Sequence, residues 1–146
     1  MSVVDNTDKS QTEALAFDID LQHGPAKVWR ALTDPVLLSK WLLPVIGFEL
    51  EPEAAFMLQA PPQPGWDGSV SCRFVEIEAQ RKLSYTWRVG GLDTVVSFTL
   101  TPTASGTRLS LVQSGFKPSQ KQNLGGARYG WRLMGERLVD LLAQIA

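Results

Sequence analysis

The hydrophobic period changes once along this chain of 146 residues, and that change restricts the fold more than any other feature. Between Ile46 and Leu111 apolar residues recur at every second position, the sign of strands with one buried face. From Leu124 to Ile145 they recur at steps of three and four: Leu124, Ala127, Trp131, Met134, Leu138, Leu141, Leu142 and Ile145. That spacing puts them on one side of a long helix, with Arg128, Arg132, Glu136, Arg137 and Asp140 largely elsewhere.

Within the period-2 region, short turns separate the strands. Ile46–Glu51, Ala55–Gln59, Ser69–Ile77, Leu83–Val89, Val96–Thr101 and Arg108–Leu111 read as strands. Pro61-Pro62-Gln63-Pro64-Gly65 breaks the pattern and is read as a loop. Ala79-Gln80-Arg81, Gly90-Gly91 and Ser105-Gly106 are the remaining turns, so consecutive strands form an antiparallel meander. The apolar phase slips near Phe74-Val75, which predicts a bulge or a strong bend.

Ahead of the meander, Leu15, Phe17, Ile19 and Leu21 alternate with polar residues as one more strand. Pro25 suits the first turn of a short helix that carries Val28, Trp29 and Leu32. Asp34-Pro35 repeats the signal as N-cap and N1 of a second helix, with Leu37, Leu38 and Trp41 turned inward. Residues 1–13 are polar and acidic and are read as a mobile tail, leaving residues 14–146 as a single domain.

The fold class is therefore α+β: a curved antiparallel sheet of about six to seven strands around a long C-terminal helix, with two short helices after the first strand. Only the terminal helix is long enough to cover the apolar face of such a sheet. Where curvature exceeds what side chains fill, a gap remains between sheet and helix, and such gaps hold apolar ligands. Gly125, Gly126, Gly130 and Gly135 each cost about 1 kcal/mol against alanine in a helix interior. They predict close backbone approach, or a helix whose N-terminal half can loosen.

Composition narrows the partners. The net charge is −1, so no basic field exists for a phosphate backbone, and nucleic acid is not an expected partner. No apolar run approaches eighteen residues, so no membrane span is expected, and no secretory pattern opens the chain, which is read as cytoplasmic. The only cysteine, Cys72, and the only histidine, His23, form no zinc motif, so no metal and no cofactor is expected. Cys72 is read as a buried inert thiol and His23 as an exposed turn residue. Asp18/Asp20 and Glu49/Glu51 lie opposite apolar neighbours and are read as solvated faces, not catalytic pairs. No catalytic residue is assigned.

The aromatic set stands out. Trp41, Phe56, Phe74, Tyr85, Trp87, Phe98 and Trp131, with Met134, can all point toward the helix–sheet interface. Aromatic residues dominate ordinary cores, yet in a hollow fold some of them line the cavity, and all eight are taken as candidate ligand contacts. Arg73 and Arg88 fall on strand faces that alternate with apolar residues and are read as solvated arginines, with a charged end to a pocket as the functional alternative.

Val28-Trp29-Arg30-Ala31-Leu32-Thr33-Asp34-Pro35, leading to Lys40-Trp41, resembles the opening of the family named for the activator of the ninety-kilodalton heat-shock protein's ATPase. Arg81-Lys82-Leu83-Ser84-Tyr85-Thr86-Trp87, Gly106-Thr107-Arg108-Leu109 and Gly130-Trp131 agree with it in order. The family lies in the START-like, polyketide-cyclase and birch-pollen-allergen superfamily, so the resemblance implies the helix-grip fold. Ala54-Ala55 stands where that family usually has a Gly-Gly pair. The likeness is to the C-terminal type of domain alone, and the co-chaperone's additional chaperone-binding domain is expected to be missing.

Three functions follow as expectations. The first is binding of a small hydrophobic or amphipathic ligand, lipid or polyketide-like, between sheet and terminal helix. The second is a cyclase- or aromatase-type enzyme using Tyr85, Arg88 and His23. The third, implied by the family name and its link to stress response, is stimulation of a chaperone ATPase. A monomer or homodimer is compatible with each.

Overall fold

The computed structural model describes residues 3–5, 7 and 14–145. Among the described residues, eight strands form one antiparallel sheet: β1 (Val3–Asp5), β2 (Ala14–Leu21), β3 (Val45–Ile46), β4 (Ala55–Gln59), β5 (Ser69–Glu78), β6 (Lys82–Val89), β7 (Leu92–Pro102) and β8 (Thr107–Ser114). Their spatial order is β1-β2-β8-β7-β6-β5-β4-β3, so the meander from β3 to β8 is continuous and β2 closes onto β8. Two short helices, α1 (Pro25–Thr33) and α2 (Pro35–Trp41), follow β2, and the long helix α3 (Lys121–Gln144) ends the chain.

Local chemistry explains the boundaries. Pro25 and Pro35 stand at helix starts, where the missing N–H costs no hydrogen bond. The Asp34 carboxylate caps α2 by accepting from the Val36 amide at 2.9 Å. Gln80 turns the β5–β6 connection with a positive φ of 63°. The predicted slip in β5 is real: its register against β6 shifts between Phe74 and Glu76.

Two stretches differ from the sequence reading. The alternation at Ile46–Glu51 does not extend as a strand, because only Val45 and Ile46 pair with Leu58 and Met57 before the chain turns away. Val3–Asp5, read as part of a mobile tail, instead pairs with Phe17–Ile19 as an edge strand. Three contacts hold it. Val3 packs into the space left by Gly135, where a Cβ would stand 2.7 Å from Val3 Cγ2. Asp5 Oδ2 lies 3.2 Å from Arg128 Nε and 3.6 Å from Arg132 Nη2, both on α3. Apart from Thr7, the rest of the segment read as a tail lies outside the described residues.

The core lies between the concave sheet face and α3. Leu15, Phe17, Ile19, Leu109 and Leu111 from β2 and β8 meet Leu138 and Leu142 from the C-terminal half of α3, all nearly inaccessible to water. Burying an aliphatic side chain stabilises by about 1.5–3 kcal/mol, so this half of the helix is firmly anchored. The α1–α2 pair closes the same end: the Trp41 indole is buried and its Nε1 donates to the Ala31 carbonyl at 2.9 Å.

Candidate functional site

The N-terminal half of α3 is held differently. There the helix presents Gly126, Ala127 and Gly130 to the sheet, and the missing side chains leave a cavity of about 530 Å³. Trp87 and Val89 of β6, Leu92 of β7 and Gln113 of β8 line the sheet side. Trp131 and Met134 of α3 close the inner end, while Gln63 and Trp66 of the β4–β5 loop and Gln122 and Asn123 of α3 complete the lining. No lining residue is acidic, basic or a histidine. The pocket is thus neutral and largely apolar, with three tryptophans and several side-chain amides in its lining, the composition of a site for a small apolar or amphipathic molecule.

The walls are fixed by a buried hydrogen-bond chain. Trp131 Nε1 donates to Gln113 Oε1 at 2.7 Å, Gln113 Nε2 donates to Thr94 Oγ1 at 2.9 Å, and Thr94 Oγ1 donates to the Trp87 carbonyl at 2.8 Å. Gln113 and Thr94 are each only 1% exposed. Every member of the chain is satisfied, so the network orients the Trp131 indole without leaving a buried polar orphan. Trp87 and Trp131 rings then meet at 5.4 Å between centroids. On the loop, Trp66 Nε1 donates to the Ser69 carbonyl at 3.0 Å.

Of the eight candidate ligand contacts, Trp87, Trp131 and Met134 come together at this cavity. Trp41, Phe56, Phe74, Tyr85 and Phe98 do not line it. They fill the hollow beyond it with rings that touch one another: Phe56–Phe74 at 4.9 Å, Phe56–Tyr85 at 5.2 Å, Tyr85–Phe98 at 6.0 Å and Trp41–Phe98 at 6.3 Å. Phe98 also touches Trp131, at 6.0 Å, and so joins this core to the pocket wall. Aromatic side chains are bulky enough to fill the space that sheet curvature creates, and the cavity that remains is bordered by Gly126 and Gly130 of α3.

Arg73 and Arg88 face the opposite side of the sheet. Both are exposed; Arg73 Nη1 donates to the Glu53 carbonyl at 2.9 Å, and Arg88 Nε pairs with Asp93 Oδ1 at 3.0 Å. The trio Tyr85, Arg88 and His23 is not assembled. Tyr85 is buried among aromatic rings, and that burial, with Cys72 nearby, holds its phenol neutral well above its ordinary range. His23 is half-buried at the β2–α1 turn, with Nδ1 3.1 Å from Lys27 Nζ; burial and the lysine charge lower its pKa. Burial raises the Cys72 thiol to about 12, which makes it a poor nucleophile at neutral pH.

Gln113, Thr94, Trp66 and Leu92 were not singled out from the sequence. A signal existed for one of them: Gln113 continues the inward phase of Leu109 and Leu111, so an amide falls where an apolar residue is due. Trp66 follows the proline-rich breaker, and nothing local shows that this loop lies over the helix.

A curved antiparallel sheet clasping a C-terminal helix, with a cavity at the helix's open half, defines the helix-grip class of the START-like superfamily. The chain belongs to the Activator of Hsp90 ATPase homolog 1-like protein family, whose family model matches residues 22–143. A crystal structure of a Mesorhizobium loti protein is 37% identical, covering 91% of this chain and 98% of that one with a TM-score of 0.84. One from Nitrosomonas europaea is 28% identical over 94% and 97%, with a TM-score of 0.75. CalU16 of Micromonospora echinospora, 20% identical over 98% and 90% with a TM-score of 0.69, shares the fold. A search of curated proteins finds no match. No helix among the described residues is long and apolar enough to cross a membrane.

Proposed function

We propose that this protein binds a small, uncharged, apolar or amphipathic molecule in the cavity between the N-terminal half of α3 and strands β6–β8. The carrying observation is a space of about 530 Å³ walled by Trp66, Trp87, Trp131 and Met134 with no charged side chain in its lining. An ionised guest would give up part of its hydration there without gaining a counter-charge, which disfavours it against a neutral one. A neutral ring system keeps its apolar contacts and can use the exposed amides of Gln63, Gln122 and Asn123. The lining also has no His, Asp, Glu, Lys, Arg, Cys or Tyr to move a proton, which favours retention of a guest over a cyclase-type reaction.

Titration with N-phenylnaphthylamine, a neutral apolar fluorophore, tests this reading. Saturable quenching of tryptophan fluorescence, abolished in Met134→Lys at an unchanged melting temperature, is expected. A linear, non-saturating response in the wild-type protein contradicts it.

A further inference from the structure

The outer face of the sheet holds a second recess, of about 360 Å³, on the side opposite α3. Its floor follows from the register. Ala55 pairs with Arg73 and Met57 with Ser71 across β4–β5, while Ser71 pairs with Arg88 across β5–β6. Thr86 also lines the recess from β6. Ala55, Ser71 and Thr86 are short, so the surface dips between taller neighbours. Ile46 and Met57, 55% and 37% exposed, stand on one side; Arg73 borders the recess where its guanidinium reaches the Glu53 carbonyl, and Arg88 borders it on β6, ion-paired with Asp93 of β7.

We propose that this recess binds a small carboxylate carrying an apolar tail. Arg73, bonded only to a neutral carbonyl, supplies the charge complementarity, Arg88 adds N–H donors although Asp93 offsets its charge, and the exposed Ile46–Met57 wall supplies the apolar contact. Arg73 uses one N–H on the Glu53 carbonyl and Arg88 uses one on Asp93. A guanidinium has five N–H donors in a planar fork suited to carboxylate oxygens, so each keeps donors for a guest. The volume lies near the lower end for small-molecule sites, which favours a compact acid over a peptide. The chemistry is the reverse of the inner cavity, which has no charge to meet an acid. One fold thus presents a neutral pocket on its concave side and an arginine-bordered notch on its convex side.

The test is a titration of the isotopically labelled protein with sodium octanoate, and separately with octanamide, followed through backbone amide resonances. Octanoate is expected to shift Ile46, Met57, Ser71, Arg73, Thr86 and Arg88 saturably, with octanamide at least about tenfold weaker. Arg73→Gln and Arg88→Gln are each expected to weaken octanoate by about tenfold or more, the scale of a lost charge-assisted hydrogen bond, with melting temperatures little changed. Shifts confined to Leu92, Gln113 and Trp131 would place the acid in the inner cavity and overturn the proposal. Equal affinity for the amide, or no saturation on the outer face, would overturn it as well. The proposal stands apart from the inner-cavity reading, since the two sites report through different resonances.

Discussion

The Trp131 indole donates to the Gln113 side-chain carbonyl at 2.7 Å, in a setting where both residues are almost fully buried. This bond ties the middle of α3 to β8 at the point where close packing gives way to open space. Replacing Gln113 with leucine leaves the indole N–H and the Thr94 hydroxyl without this partner. A loss of about 1–3 kcal/mol is expected from urea unfolding. The Trp131 indole proton resonance should move by more than that of any other tryptophan.

Gly135 admits Val3 against the helix. A Cβ there would stand 2.7 Å from Val3 Cγ2 and 3.3 Å from Ile19 Cδ1. Gly135→Ala gains about 1 kcal/mol of helix propensity and meets an overpacking cost of about 1–3 kcal/mol. A net loss of about 1 kcal/mol is expected by urea unfolding, with amide exchange accelerated across Val3–Asp5 because the short edge strand yields first.

Gly126 should behave in the opposite way. A Cβ there meets nothing within 4 Å, and the residue lines the cavity. Gly126→Leu is expected to raise stability by about 0.5–1 kcal/mol through helix propensity while it fills the space a guest needs. Thermal unfolding and N-phenylnaphthylamine titration on the same sample check the pair: stability up, affinity down by about tenfold or more.

Acid should release β1. Burial raises the Asp5 pKa, but hydrogen bonds from Thr7 and the charges of Arg128 and Arg132 outweigh it, and the net position lies below the ordinary value of 3.8. A carboxyl lowered by folding contributes stability that is present above 3.8 and lost as pH falls through the folded-state value. Urea midpoints of the wild type and Asp5→Asn should therefore differ at pH 6 and converge as pH falls below 3.8.

The sheet and helices were legible because their residues repeat with a period. Leu83, Tyr85 and Trp87, or Leu138, Leu141 and Leu142, mark their own buried faces. What fills the hollow was less legible. Period 2 turns Phe56, Phe74, Tyr85 and Phe98 inward, yet it does not say whether such rings reach one another or leave room, which depends on sheet curvature. The Thr94–Gln113 pair was hidden for a related reason. Each residue alone interrupts an apolar pattern, and only the β7–β8 register brings them together. Alternation did place Arg73 and Arg88 opposite apolar neighbours, and the structure puts both on the convex face. The edge strand Val3–Asp5 depends on Gly135, more than a hundred residues away, a contact that no local pattern encodes.

The five tryptophans make the inner cavity directly observable, since Trp66, Trp87 and Trp131 line it and Trp29 and Trp41 do not. Titrating N-phenylnaphthylamine while following the five indole N–H resonances is the most direct measurement. Saturable shifts of Trp66, Trp87 and Trp131, with Trp29 and Trp41 unmoved, are the predicted result. No saturable shift, or a uniform drift of all five, would contradict a guest-binding cavity.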